Sequence, residues 1–317
     1  MQVSLLEFLA CPDDGNEVLD LENERVQPDT GDVQFGHLIC RRCGRSYPIV
    51  QGIPSMLPQS LSTLADKPVR AGTCEAGDQI NEMRARDQLA DKYGRDVVAR
   101  NHRNRVEVEA TLRNLAAAPS DVILDAGAGP GRFELALERS CRAIVALDFS
   151  MTSLLLLASR LSQKSRQVVH PVQGDLLNLP LRHDTFDKCL SFGVLEHIPS
   201  RAGKHRAIDQ LRRVLQPGGR LVVVTYNHNV YARRKGVRTG YHLGRIYFEN
   251  LTRQEFLEML QPQLAVEEVS GVYNRLPKGL SDRLGELGYW IDRAMERTPL
   301  SNWFAYMLLA RCKKKPA

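Results

Sequence analysis

The stretch Val122-Ile-Leu-Asp-Ala-Gly-Ala-Gly-Pro-Gly131 is an apolar, strand-like run that passes directly into a glycine-rich turn. Glycine is needed where the backbone must turn tightly and approach a ligand without a Cβ in the way. Pro130 suits the start of a helix, because its missing N–H would be unpaired there in any case. Such a turn alone fits an ordinary strand-to-helix connection or a nicotinamide dinucleotide site equally well.

After Pro119 the sequence alternates short apolar strands with helical or loop segments. Parallel strands need a crossover long enough to hold a helix, so this alternation predicts parallel βαβ units. We therefore expect an α/β fold with a doubly wound, Rossmann-like sheet. The last two strands lack a simple helical crossover, which predicts a hairpin-like arrangement at the end of the chain. The predicted strands are 122–126, 143–148, 168–173, 188–191, 220–225, 265–272 and 303–311.

Three carboxylates follow three successive predicted strands: Asp125, Asp148 and Asp175. The carboxyl ends of parallel strands face the crevice in which open α/β sheets bind ligands. Asp125 can meet the ammonium of an amino-acid-like ligand, Asp148 can accept both hydroxyls of a ribose, and Asp175 can accept from an adenine amino group. Any one of them alone would more often be a helix cap or a turn residue.

Five stretches in the expected order give the chain a family resemblance; they are residues 124–131, 146–150, 174–180, 186–198 and 211–221. Residues 119–311 resemble the class I S-adenosylmethionine-dependent methyltransferases, in particular the broad group that contains the ubiquinone and menaquinone biosynthesis enzymes. The resemblance implies a seven-stranded, mostly parallel sheet with an antiparallel last strand. It also implies S-adenosyl-L-methionine as the cofactor.

The resemblance assigns Asp125, Gly127 and Gly129 to the methionine end of the cofactor, Asp148 to its ribose and Asp175 to its adenine. The same motifs contain three further residues that we expect to contact the cofactor, namely Gly131, Phe149 and Leu176. Tyr93 is a candidate lid over the cofactor. A sulfonium is already an activated methyl donor, so the protein mainly aligns the acceptor with the methyl group.

The acceptor is expected above the fourth and fifth strands, where Glu196, His197 and His228 are the candidate catalytic residues. Glu196 as a helix cap or as a partner of the arginines at 206–213 is the alternative interpretation. The run 194–197 is similar to that of quinone O-methyltransferases that use a divalent metal, but Gly193 stands where they have an additional glutamate. That difference speaks against metal-assisted O-methylation.

The segment from Tyr231 to Tyr247 reads as a long basic and aromatic loop, of the kind that supplies substrate contacts. Its arginines suggest an acceptor that carries carboxylate or phosphate, so we predict a small or lipid-like anionic acceptor; they are Arg233, Arg234, Arg238 and Arg245. An RNA methyltransferase acting on ribosomal or transfer RNA is the alternative. A non-catalytic scaffold that binds the cofactor and activates a partner is a second alternative, which the intact turn and acids disfavour.

Cysteines cluster near the start of the chain as Cys11, Cys40 and Cys43. Residues 4–58 resemble the small zinc-ribbon family that activates RNA and protein methyltransferases. A structural zinc takes four ligands, commonly from two Cys-x-x-Cys knuckles. The first knuckle reads Cys11-Pro-Asp-Asp14, so Asp14 is the predicted fourth ligand and His37 the substitute. A ribbon that has kept its fold and lost its metal is the alternative.

These features divide the 317 residues into a ribbon-like module at 1–58, a linker with two helices at 59–118 and the main domain at 119–317. The helices are predicted at 79–93 and 95–117. The net charge of +6 permits an anionic partner without requiring one. The chain shows neither a secretory signal pattern nor a run of about 20 apolar residues, so a cytoplasmic protein is expected. The pattern leaves the oligomeric state open.

Overall fold

A computed structural model describes residues 1–64, 67, 75–98, 102–243, 245–274, 283–296 and 298–315. The N-terminal module begins with a 3-10 turn at Val3–Glu7 and continues as an antiparallel sheet in the order β1-β2-β3-β4. Its strands are β1 (Leu19–Val26), β2 (Val33–Cys40), β3 (Ser46–Val50) and β4 (Ile53–Pro54).

The sequence pattern missed β1, which falls in a polar stretch of the chain. β1 pairs with β2 at the edge of the sheet, and the register shifts between Glu22 and Val26. Most of its side chains are exposed. An exposed edge strand buries no apolar face, so it lacks the alternation that would reveal a strand in the sequence.

Three helices connect the module to the main domain: α1 (Gln59–Ser62), α2 (Glu75–Val98) and α3 (His102–Leu115). The two long helices agree with the predicted pair within a few residues. Parts of the predicted linker, at 65–66 and 68–74, and the junction at 99–101 lie outside the described residues.

The described part of the main domain contains nine strands. They are β5 (Val122–Ala126), β6 (Ala143–Asp148), β7 (Val169–Gln173), β8 (Phe186–Phe192), β9 (Leu215–Tyr226), β10 (Thr239–His242), β11 (Ile246–Glu249), β12 (Leu264–Asn274) and β13 (Ala305–Lys314). Seven of them form one sheet in the order β7-β6-β5-β8-β9-β13-β12. The strands from β7 to β9 in that order are parallel, whereas β13 is antiparallel to both of its neighbours. The predicted Rossmann-like sheet with an antiparallel last strand is confirmed.

Two details of the prediction are wrong. The last strand begins at Ala305, because residues 301–304 form a helical turn. The segment 231–247 is a short helix followed by the two-stranded β10–β11 hairpin, although we expected a loop. Both errors concern segments whose conformation depends on tertiary packing. The sequence also predicts a helical insert at about 277–296. The structure has a helix at Glu286–Glu296, and residues 275–282 lie outside the described residues.

The remaining helices cover both faces of the sheet; they are α4 (Glu134–Leu137), α5 (Met151–Arg160), α6 (Arg201–Val214), α7 (Val230–Arg234), α8 (Arg253–Leu260), α9 (Glu286–Glu296) and α10 (Ser301–Phe304). Along β5, Val122 and Leu124 belong to the core on one face, and Ile123 belongs to the core on the other. A strand buried on both faces reads as a continuous apolar run, which explains the pattern of the opening stretch.

The N-terminal module packs directly on the main domain beside β7. Met56 donates its backbone N–H to Gln173 O, and Arg182 donates to the carbonyl oxygens of Leu6, Leu9 and Glu17. The hydrophobic core of the module is continuous with that of the sheet. The two parts are therefore one packed body. Among the described helices, none is long and apolar enough to cross a membrane.

Candidate functional site

A cavity of about 560 Å³ opens at the carboxyl ends of the parallel strands. It is lined by residues that end or directly follow β5, β6, β7, β8 and β9. α2 and α3 lie over it, and the tip of the β10–β11 hairpin closes one end. This is the place where open α/β sheets bind their ligands. The cavity brings together most of the predicted cofactor residues, namely Tyr93, Gly127, Gly129, Asp148, Phe149, Asp175 and Leu176.

The glycine turn adopts a backbone that requires glycine. Gly127, Gly129 and Gly131 have φ angles of +95°, +56° and +88°, which other residues rarely adopt. A Cβ on Gly127 would lie 2.2 Å from the Val194 side chain. A Cβ on Gly131 would meet Leu157 at 2.5 Å, so Gly131 serves helix packing behind the turn and is not among the residues that line the cavity.

Asp148 lies at the end of β6 and braces the turn. Its carboxylate accepts hydrogen bonds from the N–H groups of Gly129 and Ser150, both at 2.8 Å. Burial raises the pKa of Asp148, and these two hydrogen bonds oppose that shift. The carboxylate has further lone pairs that can accept ligand hydroxyls from the cavity side.

Asp175 follows β7, the strand next to the one that Asp148 ends. It accepts from Leu177 N at 3.0 Å and from Gln79 Nε2 on α2 at 3.1 Å. Phe149 and Leu176 supply apolar surface beside it. An acid flanked by flat apolar walls can hold a nucleobase, which is the role that the resemblance implies. Gln79 was missed, since nothing in a helix pattern indicates which polar residue faces a site.

Asp125 lies beneath the turn and is fully buried. Neither oxygen of the Asp125 carboxylate accepts a hydrogen bond from a donor among the described residues, and Glu134 Oε1 also lacks a donor. Burial and the neighbouring Glu134 raise the pKa of Asp125 well above its ordinary value, and burial raises the pKa of Glu134 to about 7. Neither residue lines the cavity, so the pair would act on a cationic group above the turn, such as an ammonium, only through its charge.

Two arginines beside the turn were also missed. Arg103 donates to Glu107 Oε1 at 2.7 Å, and Arg132 donates to Glu107 Oε2 at 2.5 Å. Arg132 also lies over the Phe192 ring at 4.4 Å. All four residues line the cavity. Two guanidinium groups against one carboxylate leave a net positive charge next to the glycine turn.

The predicted catalytic pair Glu196 and His197 reaches the cavity from a 3-10 turn after β8. Glu196 accepts from Thr225 Oγ1 at 3.1 Å, and burial raises its pKa to about 7. His197 Nδ1 lies 2.6 Å from Tyr247 O. Burial and the charge of Arg86 lower the pKa of His197 well below its ordinary value, so the ring is neutral.

The structure does not bring His228 to the cavity, although its neighbour Tyr226 lines it. The chain turns away after β9 because Asn227 Nδ2 donates to Asn302 O and Ala305 O, and Asn229 caps α7. These bonds hold the segment against β13. His228 lies instead near Arg233 and Arg238, whose charges reinforce the effect of burial in lowering its pKa.

The arginines of the predicted basic loop are also engaged elsewhere. Arg233 donates to His228 O and lies over the Trp303 ring, Arg238 pairs with Glu249 and Glu255, and Arg245 donates to Gln88. None of the described loop arginines is among the residues that line the cavity. The expectation that these arginines contact the acceptor is therefore wrong. Arg86, on α2, lines the cavity in their place.

The predicted metal ligands Cys11, Asp14, Cys40 and Cys43 come together in the N-terminal module, with ligand atoms within 4.8 Å of one another. The Sγ atoms of Cys11 and Cys43 are 3.8 Å apart, and Asp14 Oδ2 is 3.5 Å from Cys40 Sγ. Tetrahedral zinc with ordinary bond lengths would place two thiolates about 3.8 Å apart, and a thiolate and carboxylate oxygen about 3.6 Å apart. The donor set fits zinc.

Comparisons with known proteins agree with this geometry. Residues 124–223 match the family model described as "Methyltransferase domain", and residues 2–52 match the one described as "Trm112p-like protein". The demethylmenaquinone methyltransferase of Thermobifida fusca is 35% identical over 146 residues, which is 45% of this chain and 59% of the relative. The tRNA (carboxymethyluridine(34)-5-O)-methyltransferase of Arabidopsis thaliana is 32% identical over 120 residues, 38% of this chain and 27% of the relative.

The fold is shared with solved structures of low sequence identity. A complex of the Haloferax volcanii Trm112 methyltransferase activator with a candidate methyltransferase aligns with a TM-score of 0.52 and 17% identity, over 73% of this chain and 97% of that chain. The N-methyltransferase NodS of Bradyrhizobium japonicum with S-adenosyl-L-homocysteine gives a TM-score of 0.51 and 17% identity, over 74% and 98%.

The chain spans about half the length of the curated relatives that it matches first, between 46% and 64%. The two family models match part of each expected domain, at residues 2–52 and 124–223. The ribbon and the Rossmann-like sheet share one core. The glycine turn and the acids Asp125, Asp148 and Asp175 all lie within residues 124–223. One polypeptide therefore contains a segment similar to Trm112p-like proteins and a segment similar to methyltransferase domains.

Proposed function

We propose that the chain is an S-adenosylmethionine-dependent methyltransferase that acts on a small acceptor. The observation that carries the proposal is one cavity that holds the glycine turn together with Asp148 and Asp175, at the ends of adjacent strands. When bound, the cofactor supplies an electrophilic methyl group on a cationic sulfur. Asp148 binds the ribose, Asp175 the adenine, and the charge of Arg103 and Arg132 suits the methionine carboxylate.

The chain's own residues then hold the acceptor near the methyl group and exclude water. Alignment of the reacting atoms is the larger part of such catalysis. Glu196 and His197 lie at the acceptor end of the cavity, where the Glu196 carboxylate, with its pKa raised to about 7, can take a proton from a protonated acceptor. We propose a small or lipid-like acceptor, whose anionic group would meet Arg86 and not the basic loop.

The charge of the ribbon favours a small acceptor over RNA. Residues 1–58 contain nine Asp and Glu side chains and four arginines. A polyanion attracts basic surface and is repelled by acidic surface. An RNA substrate would need a basic surface that continues onto the ribbon, and this ribbon offers the opposite charge.

RNA methylation remains the second candidate. It is favoured by the similarity of residues in the main domain to a tRNA methyltransferase and by the Trm112p-like ribbon. A single nucleotide flipped out of a strand could enter the cavity, so cavity size does not separate the candidates. The non-catalytic scaffold is disfavoured, because a scaffold needs no proton acceptor such as Glu196 beside the cofactor.

Two measurements test the proposal. Calorimetry should show binding of S-adenosyl-L-homocysteine and none of NAD; binding of NAD alone would exclude a methyltransferase. The protein is then incubated with methyl-labelled cofactor and either a small-molecule extract or total RNA. Label in the extract supports a small acceptor, and label in ribosomal or transfer RNA supports the second candidate.

We propose that the ribbon holds one structural zinc and stabilises the main domain. In the Haloferax volcanii complex the activator is paired with a methyltransferase. In this chain the ribbon contacts β7 through Met56 and Ser55, and β7 leads directly to Asp175. A ribbon that fixes this strand would also fix the adenine end of the cavity.

A further inference from the structure

Three aromatic rings from distant segments enclose the acceptor end of the cavity. His197 follows β8, Tyr226 ends β9, and His242 ends β10 on the hairpin. Their ring centroids are 5.8, 5.9 and 6.1 Å apart, and each pair meets edge to face. Phe248 stacks on the outer face of His242 at 4.4 Å. We call these three residues, His197, Tyr226 and His242, the ring triangle.

Two of the buried polar atoms at this end of the cavity lack partners among the described residues. Tyr247 O can only accept, so His197 Nδ1 carries the proton and its Nε2 presents a lone pair. Glu196 Oε1 and His242 Nε2 are buried and have no hydrogen-bond partner among the described residues. Buried polar atoms in native proteins are normally paired, so atoms left unpaired around a cavity point to a ligand that pairs them.

The surroundings restrict what that ligand is. Phe192, Tyr226 and His242 present flat surfaces, which suit a planar ring. Glu196 Oε1 and His197 Nε2 are both hydrogen-bond acceptors, so they suit a ligand that donates a hydrogen bond. Arg86 pairs with Glu82 at 3.1 Å, and its positive charge acts on Glu196, His197 and His242. That charge disfavours a cationic amine and favours a group that becomes negative.

We propose that the ring triangle, with Glu196 and Arg86, binds a planar ring that carries an acidic hydroxyl, such as a phenol or a cyclic enol. His242 determines specificity for this acceptor, and it lies outside both segments that match family models. The inference deepens the proposed function and rests on it. In the transfer, the hydroxyl proton passes to Glu196 Oε1 and the acceptor oxygen bonds to the methyl carbon. The carbon–sulfur bond breaks, and the sulfur keeps its electron pair as a neutral thioether.

The test uses 4-nitrophenol as the probe, because its neutral and ionised forms have different absorption spectra. Its binding to the full chain saturated with S-adenosyl-L-homocysteine is measured by calorimetry and absorbance. His242→Phe keeps the ring that stacks on Phe248 and removes the polar atom; His242→Gln restores a polar group. His228→Phe is the matched control, since His228 lies outside the cavity lining.

We expect His242→Phe to weaken probe binding at least tenfold and His242→Gln to recover part of it. S-adenosyl-L-homocysteine affinity should be unchanged in all three variants, and His228→Phe should bind the probe like wild type. Wild-type protein that binds S-adenosyl-L-homocysteine but not 4-nitrophenol would overturn the substrate class, and an unaffected His242→Phe would overturn the role of His242. Failure to bind S-adenosyl-L-homocysteine would instead overturn the proposed function.

Discussion

The Asp148 carboxylate accepts a 2.8 Å hydrogen bond from the Gly129 N–H, so the acid that ends β6 and the turn that follows β5 hold each other in place. Its second oxygen is fixed by Ser150 N at the start of α5. The carboxylate is thus oriented before any ligand arrives. A preformed acceptor loses little conformational entropy when it binds ribose hydroxyls.

Asp148→Ala is expected to weaken S-adenosyl-L-homocysteine binding about 100-fold or more. Two hydrogen bonds to a charged group are lost, each worth about 1.5–3 kcal/mol. Isothermal calorimetry measures the change. Asp209→Ala is the control, because Asp209 lies on α6 and pairs only with the neighbouring Arg212. Equal affinity of wild type and Asp148→Ala would remove Asp148 from the cofactor site.

Gly127→Ala should abolish S-adenosyl-L-homocysteine binding, whereas Gly218→Ala should leave it intact. Both glycines have positive φ, so either substitution strains the backbone by about 1–2 kcal/mol. They differ in space, since a Cβ on Gly127 would lie 2.2 Å from Val194 and one on Gly218 would meet nothing within 4 Å. Thermal unfolding and calorimetry separate the two effects. Loss of binding in both variants would show that strain alone is responsible.

Purified protein should contain about one zinc per chain, lost in the Cys40→Ser, Cys43→Ser double variant. Three thiolates and one carboxylate complete a tetrahedral site only together. Asp14→Cys should retain zinc, because it supplies a fourth thiolate. Cys141→Ser serves as the control, since Cys141 lies in the main domain and donates to Leu137 O. Elemental analysis decides; wild type that holds no zinc after reconstitution would mark the ribbon as metal-free.

Arg182→Met should lower the free energy of unfolding by about 2–4 kcal/mol, because three carbonyl groups of the ribbon lose a charged donor. Urea denaturation followed by circular dichroism measures this change. The exposed Arg201, replaced by Met, is the control. The wild-type transition should be single, since the two domains share one core. Two separate transitions in wild type would contradict that arrangement.

Glu134→Gln should stabilise the ligand-free protein at pH 8 and have little effect near pH 4. Burial raises the pKa of Glu134 to about 7 in the folded chain, above its value of about 4.3 in an unfolded one. The folded state therefore binds more protons between these values, and the free energy of unfolding falls as pH rises through this window. Urea titrations from pH 4 to 8 measure it. In the control variant Glu258→Gln, at an exposed position, the free energy of unfolding should match that of wild type at every pH. A Glu134→Gln variant that also matches wild type at every pH would refute the prediction.

Local patterns in the sequence were sufficient for the sheet and for much of the cofactor site. β5 and β6 are apolar runs buried on both faces, and each ends where its glycine or acid begins, so their bounds were predicted without error. Asp148, Phe149, Asp175 and Leu176 follow directly from strand ends. Backbone direction alone brings the ends of parallel strands to one edge, so their meeting needed no knowledge of packing.

The tertiary structure alone decided which residues of α2, α3 and the hairpin face the cavity. Arg86, Arg103 and His242 come from segments in which polar residues are frequent and follow no periodic pattern. The clustered arginines of 233–245 were therefore the more obvious candidates for contacts with the acceptor. The partners of Arg86 and His242 lie far away along the chain: Arg86 acts on Glu196, and His242 meets Tyr226. Sequence periodicity fixes the buried face of a helix or strand, but the neighbour that meets its polar face depends on how the elements pack. The sequence by itself thus determined the fold and the cofactor end of the site, and the packing of helices and hairpin over the sheet determined the acceptor end.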